Sequence, residues 1–276
     1  MSTTIILDCD PGIDDALAVA SFVGAVSVPV TAGCAAPLLR PALDAGHVHG
    51  ESGLGGAVLP RPPRPAASGH AIDFIIAGVA AAPGEITLVA TGPLTNVALA
   101  LRREPRLASW VRDFVIMGGS AGRGNVNHAA EFNMWADPEA AAVVFAAGWT
   151  VRMIGLDVTL RALATLALQE RMRSFGVLGS ELLLPALARY ADSNNSTGEP
   201  PVHDVCAVVS VAEPSVFRYT PALVQVETTG KLTSGMTVTD FSTSVIPNAL
   251  VATEIDVGRF WEVVLRTYQS LAASLG

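Results

Sequence analysis

The sequence predicts an α/β fold: a mostly parallel central sheet with helices on both faces, in one domain over residues 1–276. Three observations predict it. Short continuous apolar runs alternate with Ala-rich stretches of helical length, the rhythm of βαβ units whose strands are buried on both faces. Polar or glycine-rich turns stand directly after several of those runs, where open α/β sheets bind ligands. The 276 residues are 50% hydrophobic and only 15% charged, enough for a sizeable core and too apolar for a disordered chain.

In chain order, Thr4 to Asp8 (TIILD) reads as a buried strand, and Ala16 to Val23 as a helix opened by acids. Val28 to Ala32 is a second, short strand. Ile72 to Ala81 reads as a helix, Glu85 to Thr91 as a strand and Leu94 to Arg102 as a helix. Asp113 to Met117 (DFVIM) is a strand. Pro138 to Ala147 is a helix, with Asp137 as its N-cap and proline at its first position. Thr150 to Leu156 is a strand. Leu59 to Pro65 (LPRPPRP) is a surface excursion, and nothing divides the chain into two domains.

Charge and composition exclude several functions. Seventeen basic against 25 acidic residues give a net charge of −8, and no basic run occurs, so neither nucleic acid nor an anionic membrane is an expected partner. Mean hydropathy is +0.45, but the longest apolar candidate, Ala16 to Val30, carries Ser21, Gly24, Ser27 and Pro29 and falls short of the ~20 residues of a spanning helix. The opening Met1-Ser-Thr-Thr has no positive charge of the kind a signal peptide begins with, so a cytoplasmic protein is the expectation. Cys9, Cys34 and Cys206 are widely spaced, which supports neither a disulfide framework nor a cysteine zinc site.

Chemistry concentrates after the first strand. Asp8-Cys-Asp-Pro-Gly-Ile-Asp-Asp15 places four carboxylates within eight residues at a strand-to-helix turn. Helix capping justifies one or two acids there. It does not justify four, because like charges this close raise each other's pKa. A hard divalent cation with oxygen ligands resolves the conflict. After the strand ending at Ala90, Thr91-Gly92-Pro93 holds an irregular turn that offers the Thr91 carbonyl as a ligand, or is simply a turn before a helix. After Met117 comes the loop Gly118-Gly-Ser-Ala-Gly-Arg-Gly-Asn-Val-Asn-His128. Glu131 nearby would repel a phosphate, so a neutral polyol held by Asn125, Glu131 and Asn133 is one reading, and a flexible surface loop the other. At Val202-His203-Asp204 an acid leads an apolar helix, ordinarily a cap, and the His beside it is an acid–base candidate. His47 and His49 read as loop residues, and His70 and His128 carry no distinguishing context.

Together these segments resemble one family. DCDPGIDDA, ATGPLTN, MGGSAGRGN, AEFNMWADPEAA and VHDVCA match the ordered motifs of the inosine–uridine-type nucleoside hydrolases, and HGESGLGG (49–56) and KLTSGMTVTDF (231–241) are similar to their counterparts. The resemblance implies an enzyme that binds Ca²⁺ and cleaves the N-glycosidic bond of ribonucleosides to ribose and free base. It implies Asp10, Asp15, the Thr91 carbonyl and Asp204 as metal ligands, with Asp10 also the general base for the attacking water. It implies that Asp14, Asn125, Glu131 and Asn133 hold the ribose hydroxyls and that Met117 lines the sugar pocket. His203 would face the base and protonate it on departure. A homodimer or homotetramer is the implied assembly, and nucleoside salvage the implied setting.

The resemblance also has gaps. Phe22 to Val26 runs almost directly into Ser27 to Cys34, which resembles the family's following strand. A segment on the scale of one βα unit, ~30 residues, is missing, and with it a Val-x-Gly-Asn-type turn whose asparagine stands near the acids. The expectation is a narrowed or re-paired sheet, an exposed strand edge and weakened catalysis. The stretch Tyr190 to Pro201 lacks the tyrosine expected just before VHD, with Tyr190 itself placed early. Two other functions compete. Asp8-Cys-Asp10 mimics the D-x-D start of haloacid dehalogenase-like phosphatases, although Gly12 and the absence of a matching lysine depart from that pattern. A non-catalytic nucleoside- or ribose-binding protein is the other.

Overall fold

The computed structural model describes residues 3–10, 15, 28–41, 65–193 and 198–275. The predicted helix at Ala16 to Val23, the Leu59 to Pro65 excursion apart from Pro65 itself, His47, His49, the 49–56 motif and Asp14 lie outside the described residues.

Seven strands form one sheet in the order β1-β2-β3-β4-β7-β5-β6. Strands β1 (Thr4–Asp8), β2 (Ile86–Ala90), β3 (Asp113–Met117) and β4 (Val151–Ile154) run parallel, and β7 (Ala249–Ile255) continues in parallel beside β4. The first four are the predicted parallel strands, trimmed by a residue or two. The antiparallel margin was not predicted: β5 (Phe217–Val226) pairs with β7 on one side and β6 (Thr237–Asp240) on the other. Pro221 within β5 lowers its strand signal, because proline offers no ladder donor.

Alternate residues of the strands feed two cores, one on each face. Leu88, Phe114, Ile116 and Met153 pack with α1 (Ala71–Ala81), α2 (Thr95–Arg103) and α5 (Pro138–Phe145). Val89, Val115, Met117 and Ile154 pack with α9 (His203–Ala212) and α10 (Val257–Leu275). Between these lie α3 (Leu107–Trp110), α4 (Phe132–Ala136), α6 (Leu156–Thr159), α7 (Leu166–Arg173) and α8 (Leu184–Ser193), the last preceded by a π-helical turn at Leu178–Leu183. Phe114 stacks on Trp149 at 4.3 Å, a contact within the range of favourable aromatic pairs. No helix of the described residues is long and apolar enough to cross a membrane.

The caps explain where the helices start. Asp137 accepts from Ala140 N at the start of α5, as predicted, with Pro138 in the first turn. His70, which carried no sequence context, caps α1 through Nδ1, which accepts from Ile72 N.

The strand predicted at Val28 to Ala32 does not form. Val28 and Val30 are exposed, and Ala32 makes a single bridge to His70. Proline at position 29 removes a donor from any ladder. Residues 28–41 instead form a strap over the helix starts. Cys34 N donates to Asn96 Oδ1 at 2.8 Å, and Leu38 N to Asp137 Oδ2 at 2.9 Å. Arg40 reaches both Glu139 and the Thr228 carbonyl. Among the described residues β1 pairs with β2 alone and so forms the sheet edge.

Candidate active site

The site forms where β1, β2 and β3 end and α9 begins. Parallel register sets Asp8 against Ala90, and Thr91 N donates to Asp8 O at 2.9 Å. That bond places the Thr91 turn beside the acidic turn. Thr91 Oγ1 donates to Asp15 Oδ1 at 2.7 Å. Gly92 is required here for space, since a Cβ would collide with the Asp10 carboxylate. Asn96 braces the turn from the side: Nδ2 donates to Asp8 Oδ1 at 2.8 Å while Oδ1 takes the strap's Cys34 N–H.

The electrostatics of this turn are those of crowded carboxylates. Burial first, then Asp15, Glu131 and Asp8, hold the Asp10 carboxyl well above its usual range. Burial pushes Asp8 up to about 6 against the bond from Asn96. The Cys9 thiol is pushed far up by burial and by Asp15, Asp8, Asp10 and Asp204. Asp204, in the first turn of α9, therefore belongs to the same cluster although some 190 residues separate it from the turn.

The opposite wall is a hydrogen-bonded hub. Glu131 caps α4: Oε1 accepts from Asn133 N at 2.9 Å, and Oε2 from Gly119 N at 2.9 Å and Met134 N at 3.3 Å. Fully buried, its carboxyl is raised by burial to about 7 despite those bonds. Asn133 Nδ2 donates to the carbonyls of Thr91 (2.8 Å) and Met117 (3.0 Å). Both amide hydrogens are thereby committed, and only its Oδ1 is left to meet a ligand. Asn125 is exposed, and its Oδ1 accepts from Phe132 N at 2.9 Å, which leaves its Nδ2. The glycine-rich loop is not slack. Thr237 Oγ1 accepts from Ser120 N and donates to Ser120 O, and Asp157 accepts from Ala121 N. Gly119 adopts a φ of 72°, in the left-handed region, with Thr237 packed against it.

On the third side His203 is buried at the start of α9, and burial pushes its imidazole down to about 4. Its Nδ1 lies 2.7 Å from Thr159 Oγ1 on α6. Tyr190 meets the ring edge-on at 6.3 Å between centroids, so the tyrosine that stands early in the sequence is brought back to the histidine by α8.

Of the expected residues, hydrogen bonds and electrostatic contacts link Asp10, Asp15, Thr91, Met117, Glu131, Asn133 and Asp204, and His203 stands beside Asp204. Asp14 lies outside the described residues. Thr159, Asn96 and Thr237 were not singled out from sequence. Each is an ordinary helix or strand residue until the fold supplies its partner, although Asn96 and Thr237 do lie inside the ATGPLTN and KLTSGMTVTDF motifs. The donor set suits a hard cation: oxygen atoms only, several of them carboxylates forced together by burial, plus a carbonyl with a spare lone pair. Among the described residues no three His, Cys, Asp or Glu side chains converge as a closed metal-binding group, so the fit lies in donor type and charge.

Comparisons with known proteins point the same way. The family model described as inosine-uridine preferring nucleoside hydrolase matches residues 19–262. An inosine-uridine preferring nucleoside hydrolase of Leishmania major is 40% identical, over 96% of this chain and 97% of that protein. A pyrimidine-specific ribonucleoside hydrolase, RihA, of Salmonella agona is 36% identical over 99% and 100%. Their alignments run to 306 and 311 positions, longer than the 276 residues here, so the relatives carry segments without a counterpart. The solved structure of a purine-preferring ribonucleoside hydrolase from Gardnerella vaginalis superposes with a TM-score of 0.90 at 28% identity, covering 98% of this chain and 99% of that one. On its sequence motifs, its fold and these matches, the chain belongs to the inosine–uridine-preferring nucleoside hydrolase family.

Proposed function

We propose that the chain hydrolyses the N-glycosidic bond of ribonucleosides to ribose and free base, with calcium held by Asp10, Asp15, the Thr91 carbonyl and Asp204. The observation that carries this reading is the burial of Asp10 against Asp15 and Glu131, beside a Thr91 carbonyl tied down by Asn133. Bound calcium supplies positive charge that offsets the carboxylates and acidifies water.

The chain's own groups do the rest. Asp10 takes a proton from the attacking water as general base. The water oxygen bonds to C1′ of the ribose as the C1′–N bond breaks, and the bonding electron pair leaves with the base. Positive charge builds on the sugar, as in glycoside hydrolysis, and the surrounding carboxylates stabilise it without reorganising. Asn133 Oδ1 accepts from a ribose hydroxyl, Asn125 Nδ2 donates to one, and Glu131 and Asp14 complete the sugar contacts. His203 faces the base and hydrogen-bonds it as it departs, and the proton collected from water finally returns to the base nitrogen.

Incubation of inosine, uridine, adenosine and cytidine with the protein, with and without chelator, and chromatography of the products tests the reading. Free base and ribose should appear from at least one nucleoside and disappear with chelator. No base released from any of them overturns it. The edge position of β1 favours one refinement, turnover slower than in the longer relatives. A rate equal to that of a full-length relative, measured side by side, removes that refinement.

A further inference from the structure

We propose that Thr159 is a positioning residue for the leaving base: its hydroxyl donates to His203 Nδ1 and so keeps the ring proton on Nε2, as a donor for the departing base. The inference rests on the proposed reaction and deepens it, because it assigns a proton position and a residue that controls it.

Hydrogen-bond accounting sets the direction of this contact. Thr159 and His203 come from different elements, α6 and α9, and both are buried. Their side chains meet at 2.7 Å. A buried hydroxyl must place its hydrogen on some acceptor. The usual choice for a helical threonine is a carbonyl one turn earlier. Here that carbonyl, Gly155 O, already accepts from Val158 N and Thr159 N. Among the described residues the hydroxyl of Thr159 has no other side-chain partner, so Nδ1 is the acceptor within reach. The reverse arrangement, Nδ1–H donating to Oγ1, would strand the hydroxyl hydrogen in the core, the more costly error. A neutral imidazole that accepts at Nδ1 carries its proton on Nε2. Tyr190, edge-on at 86°, holds the ring plane.

The chemistry then has a direction. A base that leaves with the bonding pair gains negative charge on a ring nitrogen, and an Nε2–H fixed toward it stabilises that charge in the transition state more than in the bound nucleoside. The contribution belongs in kcat and depends on the leaving group. A 4-nitrophenyl leaving group departs as a stable anion and needs no such donor.

The test compares Thr159→Val and Thr159→Ser on inosine, uridine and 4-nitrophenyl β-D-ribofuranoside, with nitrogen-15 NMR of the His203 ring in the wild type. Valine keeps the shape and removes the hydroxyl; serine keeps the hydroxyl. The valine variant should lose ~10-fold or more in kcat on the better nucleoside with little change in KM. It should keep its rate on the nitrophenyl riboside, and serine should restore the nucleoside rate. The wild-type ring should report Nε2–H. Equal losses on both substrate classes, an unchanged nucleoside kcat in the valine variant, or a wild-type ring protonated on Nδ1 would each overturn the assignment. Absence of wild-type turnover on every substrate sinks the proposed function instead, and the NMR result still decides the proton position on its own.

Discussion

β1 and β3 are both five residues long, both largely apolar, and both end at the site, yet they stand in opposite conditions. β3 has a neighbour on each side, and Phe114, Val115 and Ile116 are almost wholly buried. β1 pairs with β2 alone among the described residues, and Ile5, Ile6 and Leu7 are only half-buried. The two strands also lead into different chemistry. Behind β3, Glu131 has three backbone donors on its carboxylate and Asn133 ties two carbonyls together. Behind β1, Asp8, Asp10 and Asp15 crowd one another and are steadied by Asn96 and Thr91. The β3 side is organised by its own hydrogen bonds. The acidic side is organised against its own repulsion, and so depends far more on what it binds.

The sharpest break of that contrast is Asp10→Asn. Removing the base should lower turnover by ~10²–10⁴-fold. Removing one of the mutually repelling charges should leave the melting temperature in chelator unchanged or higher, because Asp10 is buried and opposed by Asp15. Steady-state kinetics and a thermal melt on the same sample read both. Full activity would take Asp10 out of the chemistry, and a collapsed melt would show that its charge supports the fold.

The strands themselves offer the next test. Phe114→Ala removes a side chain that is 1% exposed and stacked on Trp149, and should cost ~3–5 kcal/mol. Ile5→Ala on the edge strand should cost only ~1–2 kcal/mol, because a half-buried side chain forfeits less burial and leaves less of a cavity. Urea unfolding of the two variants gives the comparison. Equal losses would mean that β1 is as well packed as β3 and that the two strands do not differ in this way.

Much of this was legible in the sequence, and the reasons divide along the same line. Continuous apolar runs marked β1 through β4 to within a residue or two, since strands buried on both faces carry no polar interruption. The acidic turn was legible because four carboxylates at one turn have few structural uses. The strand expected at Val28 to Ala32 failed because its inner proline offers no ladder donor, and among the described residues only Ala32 pairs, by a single bridge to His70. The strands β5 to β7 were missed where Pro221 and polar alternation blur the pattern. Thr159 carried no signal at all: a threonine ending a short helix acquires meaning only when His203, 44 residues on, is folded against it. Asn133 was a candidate from its motif, but its commitment of both amide hydrogens to Thr91 and Met117 depends on two loop carbonyls that only the fold brings together.

If the acidic turn takes calcium as proposed, binding should sharpen the contrast between the two walls. A ligand at 100 times its dissociation constant stabilises the folded state by ~2.7 kcal/mol, which for a chain of this size is a rise in melting temperature of ~5–10 °C. The gain in amide exchange protection should concentrate at Asp8 to Asp10 and Thr91, and be small at Phe114 to Met117, which are protected already. A melt that calcium leaves unchanged would argue that no ion is held there. Uniform protection across both strands would argue that the acidic wall is no looser than the other.

The smallest effect is expected where the strap meets α5. Arg40 pairs with Glu139 at 2.8 Å, with side chains 30% and 21% exposed, and pairs this open contribute ~0.2–1 kcal/mol. The Arg40 guanidinium holds the Glu139 carboxyl below its ordinary range. Folding therefore gains from this carboxylate above its unfolded pKa, and the gain is lost as pH falls through the lower folded value. Arg40 also donates to the Thr228 carbonyl, so Arg40→Ala alone would mix two interactions. A double-mutant cycle with Glu139→Gln isolates the pair. Its coupling energy should be no more than ~1 kcal/mol at pH 7, and should vanish only in acid, below the carboxylate range. A coupling that persists in acid would mean that Arg40 works through packing and the carbonyl. A coupling well above ~1 kcal/mol would mean that the strap is bound to α5 as firmly as the strands are to one another.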